Sequence, residues 1–144
     1  MQAVVPQRAR VVLALISLSF AAIAPTGVAR AQDSLTVASP DGRTKVGVMV
    51  HDGKLYYAVA RDGRPLLFPS MLGFEFKGAP TLRDGLRITG SSRATHDETW
   101  TQPWGEVARV RDHHNELRVA VAETAAPGRH FDFVVRAFND GIGF

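Results

Sequence analysis

The chain has 144 residues, 17 basic and 14 acidic, and no cysteine. The missing thiols exclude a disulfide framework, a thiolate zinc site and a thiol nucleophile. Arg8, Arg10 and Arg30 all precede Gln32 and no acid does, so the remainder holds 14 basic against 14 acidic residues and lacks the basic footprint that nucleic acid requires.

The first segment reads as a secretory signal. Arg8 and Arg10 lie before an apolar run over residues 11–24 that only Ser17 and Ser19 interrupt, and Pro25 follows. Ala29-Arg30-Ala31 then offers small residues around a cut between Ala31 and Gln32. The run is shorter than the roughly 20 apolar residues of a membrane span. The expectation is therefore a signal peptide over 1–31, export to the periplasm or medium, and no membrane contact after cleavage. An uncleaved N-terminal anchor is the alternative. Residues 32–144 are of a size for one domain or part of one.

From Ser34 onward the chain reads as short strands separated by turns. Leu35 and Val37 share a face, and Ser39-Pro40-Asp41-Gly42 is a turn. Val46, Val48 and Val50 alternate through residues 43–51, and Asp52-Gly53 marks a two-residue hairpin. Leu55, Tyr57 and Val59 continue the pattern to a second Asp-Gly pair at Asp62-Gly63. Short strands follow over 65–68, 72–77 and 85–90, with loop or one helical turn near Pro80 to Arg83. Beyond a long polar stretch, residues 114–123 place Leu117, Val119 and Val121 on one face. Residues 130–138 carry apolar side chains on both faces, the pattern of a central strand buried on both sides. Asn139-Asp140-Gly141 predicts one more turn, and Ile142-Gly143-Phe144 reads as the start of a returning strand cut inside the element. The fold class implied is all-β, an antiparallel β-sandwich, and an incomplete one.

The polar stretch over 97–117 holds both tryptophans, Trp100 and Trp104, among carboxylates and amides. An indole face covers the apolar C–H patches of a sugar while neighbouring polar groups take its hydroxyls. Trp100 and Trp104 are thus candidate stacking surfaces, with Glu98, Glu106, Arg111 and Asn115 as hydrogen-bonding partners. Ordinary edge packing with solvated charges explains the same residues about as well. His96 and Glu98 face one side of an extended segment, as do His114 and Glu116, while adjacent His113 and His114 face opposite sides. Neither pair reaches the three or four ligands of a usable metal site, so none is expected. No Gly-x-Ser-x-Gly elbow is present. The carboxylates are numerous enough for glycoside hydrolysis, but a number of carboxylates is not a geometry, so no catalytic residue is assigned.

Taken in order, Ser39-Pro40-Asp41-Gly42, Asp52-Gly53-Lys54-Leu55-Tyr56-Tyr57, Asp97-Glu98-Thr99-Trp100, Trp104-Gly105-Glu106, Arg111-Asp112-His113-His114-Asn115-Glu116-Leu117 and Phe138-Asn139-Asp140-Gly141 resemble the N-terminal domain of glycoside hydrolase family 97. His114 departs from that pattern, which has an aromatic there, commonly tyrosine. The resemblance implies a large sandwich of the galactose-mutarotase type at the front of an exported α-glucosidase or α-galactosidase. It further implies an α-linked oligosaccharide or glycoside as partner and a catalytic (β/α)8 barrel on the same polypeptide. Calcium is implied for the full-length family but no ligand for it falls in this chain. The reading is a scaffold and sugar-binding wall without the catalytic barrel. The rivals are a free-standing exported sugar-binding or assembly module and a self-contained hydrolase using carboxylates between Asp97 and Glu116.

Overall fold

A computed structural model describes residues 34–106 and 108–144. The segment expected to be a signal peptide, with the expected cut at Ala31–Gln32, lies outside the described residues. Ten strands follow one another: β1 (Ser34–Ala38), β2 (Thr44–His51), β3 (Lys54–Arg61), β4 (Arg64–Leu72), β5 (Phe74–Phe76), β6 (Ala79–Leu82), β7 (Leu86–Thr101), β8 (Arg109–Glu123), β9 (His130–Phe138) and β10 (Ile142–Gly143). No helix occurs among the described residues, so the optional helical turn near Pro80 is instead strand β6.

Two antiparallel meanders make the layers. One sheet runs β1-β2-β3-β4, the other β10-β9-β8-β7, and β5-β6 form a separate two-stranded ribbon. The alternation legible in the sequence decides which side chains face inward. Leu35, Val37, Val46, Val48, Leu55 and Val59 line the first sheet, and Leu86, Ile88, Leu117, Val119, Val121 and Val135 meet them from the second. Each fully buried aliphatic side chain contributes about 1.5–3 kcal/mol of transfer free energy. Both Asp-Gly pairs adopt positive φ at both residues (Asp52 49°, Gly53 70°; Asp62 51°, Gly63 76°), the twist that two-residue hairpins require. Gly53 also meets a neighbour: a Cβ there would stand 3.1 Å from the Gly85 nitrogen. That closeness lets Leu86 N–H donate to the Gly53 carbonyl at 2.8 Å, tying the two sheets at this corner.

Polar ties close the other end. Arg61 donates to Thr44 Oγ1 at 2.7 Å and to the Asn139 carbonyl at 2.8 Å, and Asp41 N–H donates to Asn139 Oδ1 at 3.0 Å. Glu123 accepts a fork from Arg129 (2.6 and 2.9 Å) and the Arg129 N–H at 3.1 Å, which holds its carboxyl at about 2, well below the usual range. The same guanidinium donates to the carbonyls of Pro80 and Thr81, both at 2.8 Å, fastening β6 to the sandwich.

The structure corrects the reading of β9 as buried on both sides. It does lie between β8 and β10, and Val135 and Ala137 are fully buried inward, yet Val134 and Phe138 on its other face are only half-buried. Among the described residues no further layer covers that outer face. The polar stretch is also more regular than its composition suggests, since β7, which ends at Thr101, and β8, which starts at Arg109, together take in most of it.

Candidate functional site

The candidate residues ride on one long hairpin. β9 stops pairing with β8 at His114↔Phe138, so from His114 toward the tip β8 has only β7 beside it. Here the pair continues as a two-stranded ribbon, and β7 is exposed from Thr89 to its end. A hairpin of this length survives with so little burial because its root is built into the core through Leu86, Ile88, Leu117 and Val119.

An extra residue at Thr89 sets which side chains share a face. Ile88 pairs with Val121 but Gly90 pairs with Ala120, so two steps on β7 oppose one on β8. Beyond this bulge Thr95, Asp97 and Thr99 stand opposite Asn115, His113 and Arg111 on the face that continues the core. His96, Glu98 and Trp100 stand opposite His114, Asp112 and Val110 on the outer face.

The six predicted sugar contacts are therefore divided between the two faces and the tip. Trp100 and Glu98 lie on the outer face, and the Trp100 side chain is 51 % exposed. Trp104 and Glu106 sit in the loop that joins the strands, where Gln102 N–H donates to the Ala108 carbonyl at 3.0 Å and Trp104 is 77 % exposed. Arg111 and Asn115 lie on the opposite face and have partners within the chain. Arg111 forks onto Asp97 at 2.7 and 2.8 Å, which keeps that carboxyl below the ordinary carboxylate range. Asn115 donates to the Ala38 carbonyl of β1 at 2.9 Å and accepts from Thr95 Oγ1 at 2.9 Å. With Arg93, which donates to the Thr36 carbonyl at 2.7 Å, it pins the hairpin root to the facing sheet.

The register also assembles a group that sequence spacing did not show. His96 and His114 stack with centroids 4.7 Å apart and rings 22° from parallel, and Glu116 lies on the same face. His114 is buried against Phe138, with ring centroids 4.8 Å apart, and its Nδ1 bonds the Asp112 carboxylate. Glu116 accepts from Arg136 at 2.9 Å and is held below the usual carboxylate range by that bond first and by the charge of Arg136 and Arg118 after it. Calcium prefers six to eight oxygen ligands. Among the described residues the one grouping of three metal-capable side chains is His96, His114 and Glu116, two nitrogens and a carboxylate. That set does not fit calcium.

Two antiparallel four-stranded sheets with one long protruding hairpin define the class of fold, an all-β sandwich. Residues 37–144 match the family model described as Glycosyl-hydrolase 97 N-terminal, and the chain belongs to glycoside hydrolase family 97. A retaining α-galactosidase of Bacteroides thetaiotaomicron is 29% identical over 115 residues, covering 80% of this chain and 16% of the relative. A probable retaining α-galactosidase of Streptomyces bingchenggensis is 35% identical over 129 residues, covering 83% of this chain and 19% of the relative. Among solved structures, a family 97 enzyme from Pseudoalteromonas sp. strain K8, in complex with panose and with acarbose, superposes with TM-score 0.72 at 31% identity. The match covers 75% of this chain and 16% of that one. A β-arabinopyranosidase superposes with TM-score 0.65 at 26% identity over 75% of this chain and 17% of its own. The chain thus spans less than a fifth of the length of these relatives.

Proposed function

We propose that this chain is the N-terminal wall of an exported family 97 glycoside hydrolase acting on an α-linked glycoside, with its catalytic carboxylates on a barrel outside these residues. The observation that carries the reading is the exposure of both tryptophans, at 51 % and 77 %, on one hairpin of a sandwich whose family relatives cleave sugars. Isolated indoles on a ribbon add nothing to the core, and their flat faces suit the C–H surface of a pyranose. Glu98 and Glu106, which accompany them on the outer face and the loop, take sugar hydroxyls. Arg111 and Asn115 act by holding the ribbon in place. Panose and acarbose in the Pseudoalteromonas neighbour support an α-glucoside, while the curated relatives support an α-galactoside. The apolar run and Ala-x-Ala pattern before Gln32 support export to the periplasm or medium. Calcium, where the full-length enzyme uses it, takes its ligands from elsewhere in the polypeptide.

The test uses the full polypeptide that carries this segment. Trp100→Ala and Trp104→Ala each remove one stacking surface worth about 0.5–1.5 kcal/mol, a roughly 2–13-fold rise in KM or Kd for the α-glycoside, with Tm unchanged. Unchanged affinity in the double variant would refute the wall reading.

A further inference from the structure

The outer face of the β7–β8 hairpin contains a buried polar atom with no partner. His114 is 2% exposed, and its Nε2 makes no hydrogen bond with any protein group. Its other nitrogen, Nδ1, bonds the Asp112 carboxylate, which can only accept, so Nδ1 carries the proton. Nε2 is left with a free lone pair, buried and directed away from its carboxylate. An orphaned buried nitrogen is costly, and native folds rarely keep one without a use. Packing alone does not require it, since a phenyl ring would fill the space between His96 and Phe138 without a polar atom to satisfy.

The neighbours supply the use. His96 is directly across the ladder, Glu116 is two residues along on the same face, and donor atoms from all three lie within 4.8 Å of one another. Metal-bound histidines commonly donate their other ring N–H to a carboxylate, which is the relation of Asp112 to His114. We propose that His96, His114 and Glu116 form a divalent transition-metal site of the zinc class, with Asp112 as the positioning residue of His114.

Two imidazoles and one carboxylate suit zinc, cobalt or nickel and leave a fourth position for water. Bonds of about 2.0–2.1 Å set tetrahedral donors roughly 3.4 Å apart, so from within 4.8 Å the set must close by up to about 1.4 Å. His96 is exposed on the edge strand and free to make most of that movement. Glu116 is the constrained ligand, with Arg136 on Oε2 at 2.9 Å and Arg118 3.9 Å from Oε1. The oxygen facing Arg118 is the more available one, and Arg118 has a second partner in Asp132 at 3.1 Å. Glu98 stands opposite Asp112 one step further along the face. Binding would clip edge strand β7 to β8 at the point where the hairpin leaves the four-stranded part of its sheet.

The full polypeptide, free of any affinity tag and stripped with chelator, is titrated with Zn²⁺ by calorimetry and with Co²⁺ by visible absorption. The expected result is one site per chain in this segment, a tetrahedral Co²⁺ spectrum, and a Tm that rises with Zn²⁺ but not with Ca²⁺ through this site. His114→Phe keeps the ring packing and so the fold, and it should weaken Zn²⁺ binding at least about 10–100-fold, a loss typical of removing a ligand or its support. His96→Ala should do the same, whereas His51→Ala, outside the cluster, should not. Zn²⁺ binding of unchanged affinity in His114→Phe, or no Co²⁺ spectrum in the parent, would overturn the proposal. A sugar-binding defect in the tryptophan variants bears on neither outcome.

Discussion

Asn115 stands at the head of an apolar face, where its amide suits either a sugar hydroxyl or a backbone carbonyl. The structure gives it the backbone: Nδ2 to the Ala38 carbonyl and Oδ1 to Thr95, each at 2.9 Å. In Asn115→Ala the Thr95 hydroxyl, being exposed, exchanges its lost bond for water at little cost. Ala38 is half-buried, and losing the side-chain donor to its carbonyl costs about 1–2 kcal/mol. For a body of this size that lowers Tm by about 4–8 °C per kcal/mol. Asn115→Asp separates the two roles more sharply, because it keeps the shape and sets a carboxylate against a carbonyl. Its folded-state pKa is then raised above the ordinary value of about 3.9. The aspartic acid form can donate to Ala38, so stability is full below that ordinary value and is lost as pH rises through the raised folded-state pKa. Thermal melts of both variants by circular dichroism, repeated between about pH 4 and pH 8, give the comparison with the parent protein. If both variants melt with the parent at every pH while glycoside affinity falls, the sheet-tying role is refuted and Asn115 belongs to the sugar.

Two further outcomes follow from the core and its ion pairs. Leu117 is fully buried at the middle of β8, so Leu117→Ala should cost about 2–5 kcal/mol in denaturant unfolding with an unchanged m-value; less than about 1 kcal/mol would mean the sheets do not meet there. Arg129 holds the Glu123 carboxyl down at about 2, so the pair's contribution is full above the ordinary glutamic acid range and is lost as pH falls toward about 2. Glu123→Gln should therefore lower Tm at neutral pH and flatten its acid decline, and a parallel Tm–pH curve would contradict the pairing.

Much of the sandwich was legible because local chemistry agreed with the final fold. Val46, Val48, Leu117, Val119 and Val121 alternate strictly, and the Asp52-Gly53 and Asp62-Gly63 turns fix the register of β2, β3 and β4 with little help from distant contacts. The site was less legible, because it depends on pairing across a loop. His96 and His114 are 18 positions apart, and only the register through residues 102–108 sets them face to face. The matched lengths of the polar segments on either side of that loop were the available signal. No pairing across the polar stretch was assigned from the sequence, since charged and hydroxyl side chains do not show which face of a strand is which. The same register separated Arg111 and Asn115 from Glu98 and Trp100, which composition alone had grouped together.

The bulge at Thr89 gives the hairpin a rule of parity. Past that residue, odd positions of β7 face the sandwich and even positions face outward, and no second irregularity restores the phase before Thr101. Loss or gain of one residue between Gly90 and the tip would bring Asp97 to the outer face and His96 to the inner one, unless the loop absorbed the change. Natural or engineered variation in the length of this arm should therefore come in steps of two on each strand. A homologue lacking the extra residue at Thr89 would present the reverse set of side chains to whatever lies against the arm.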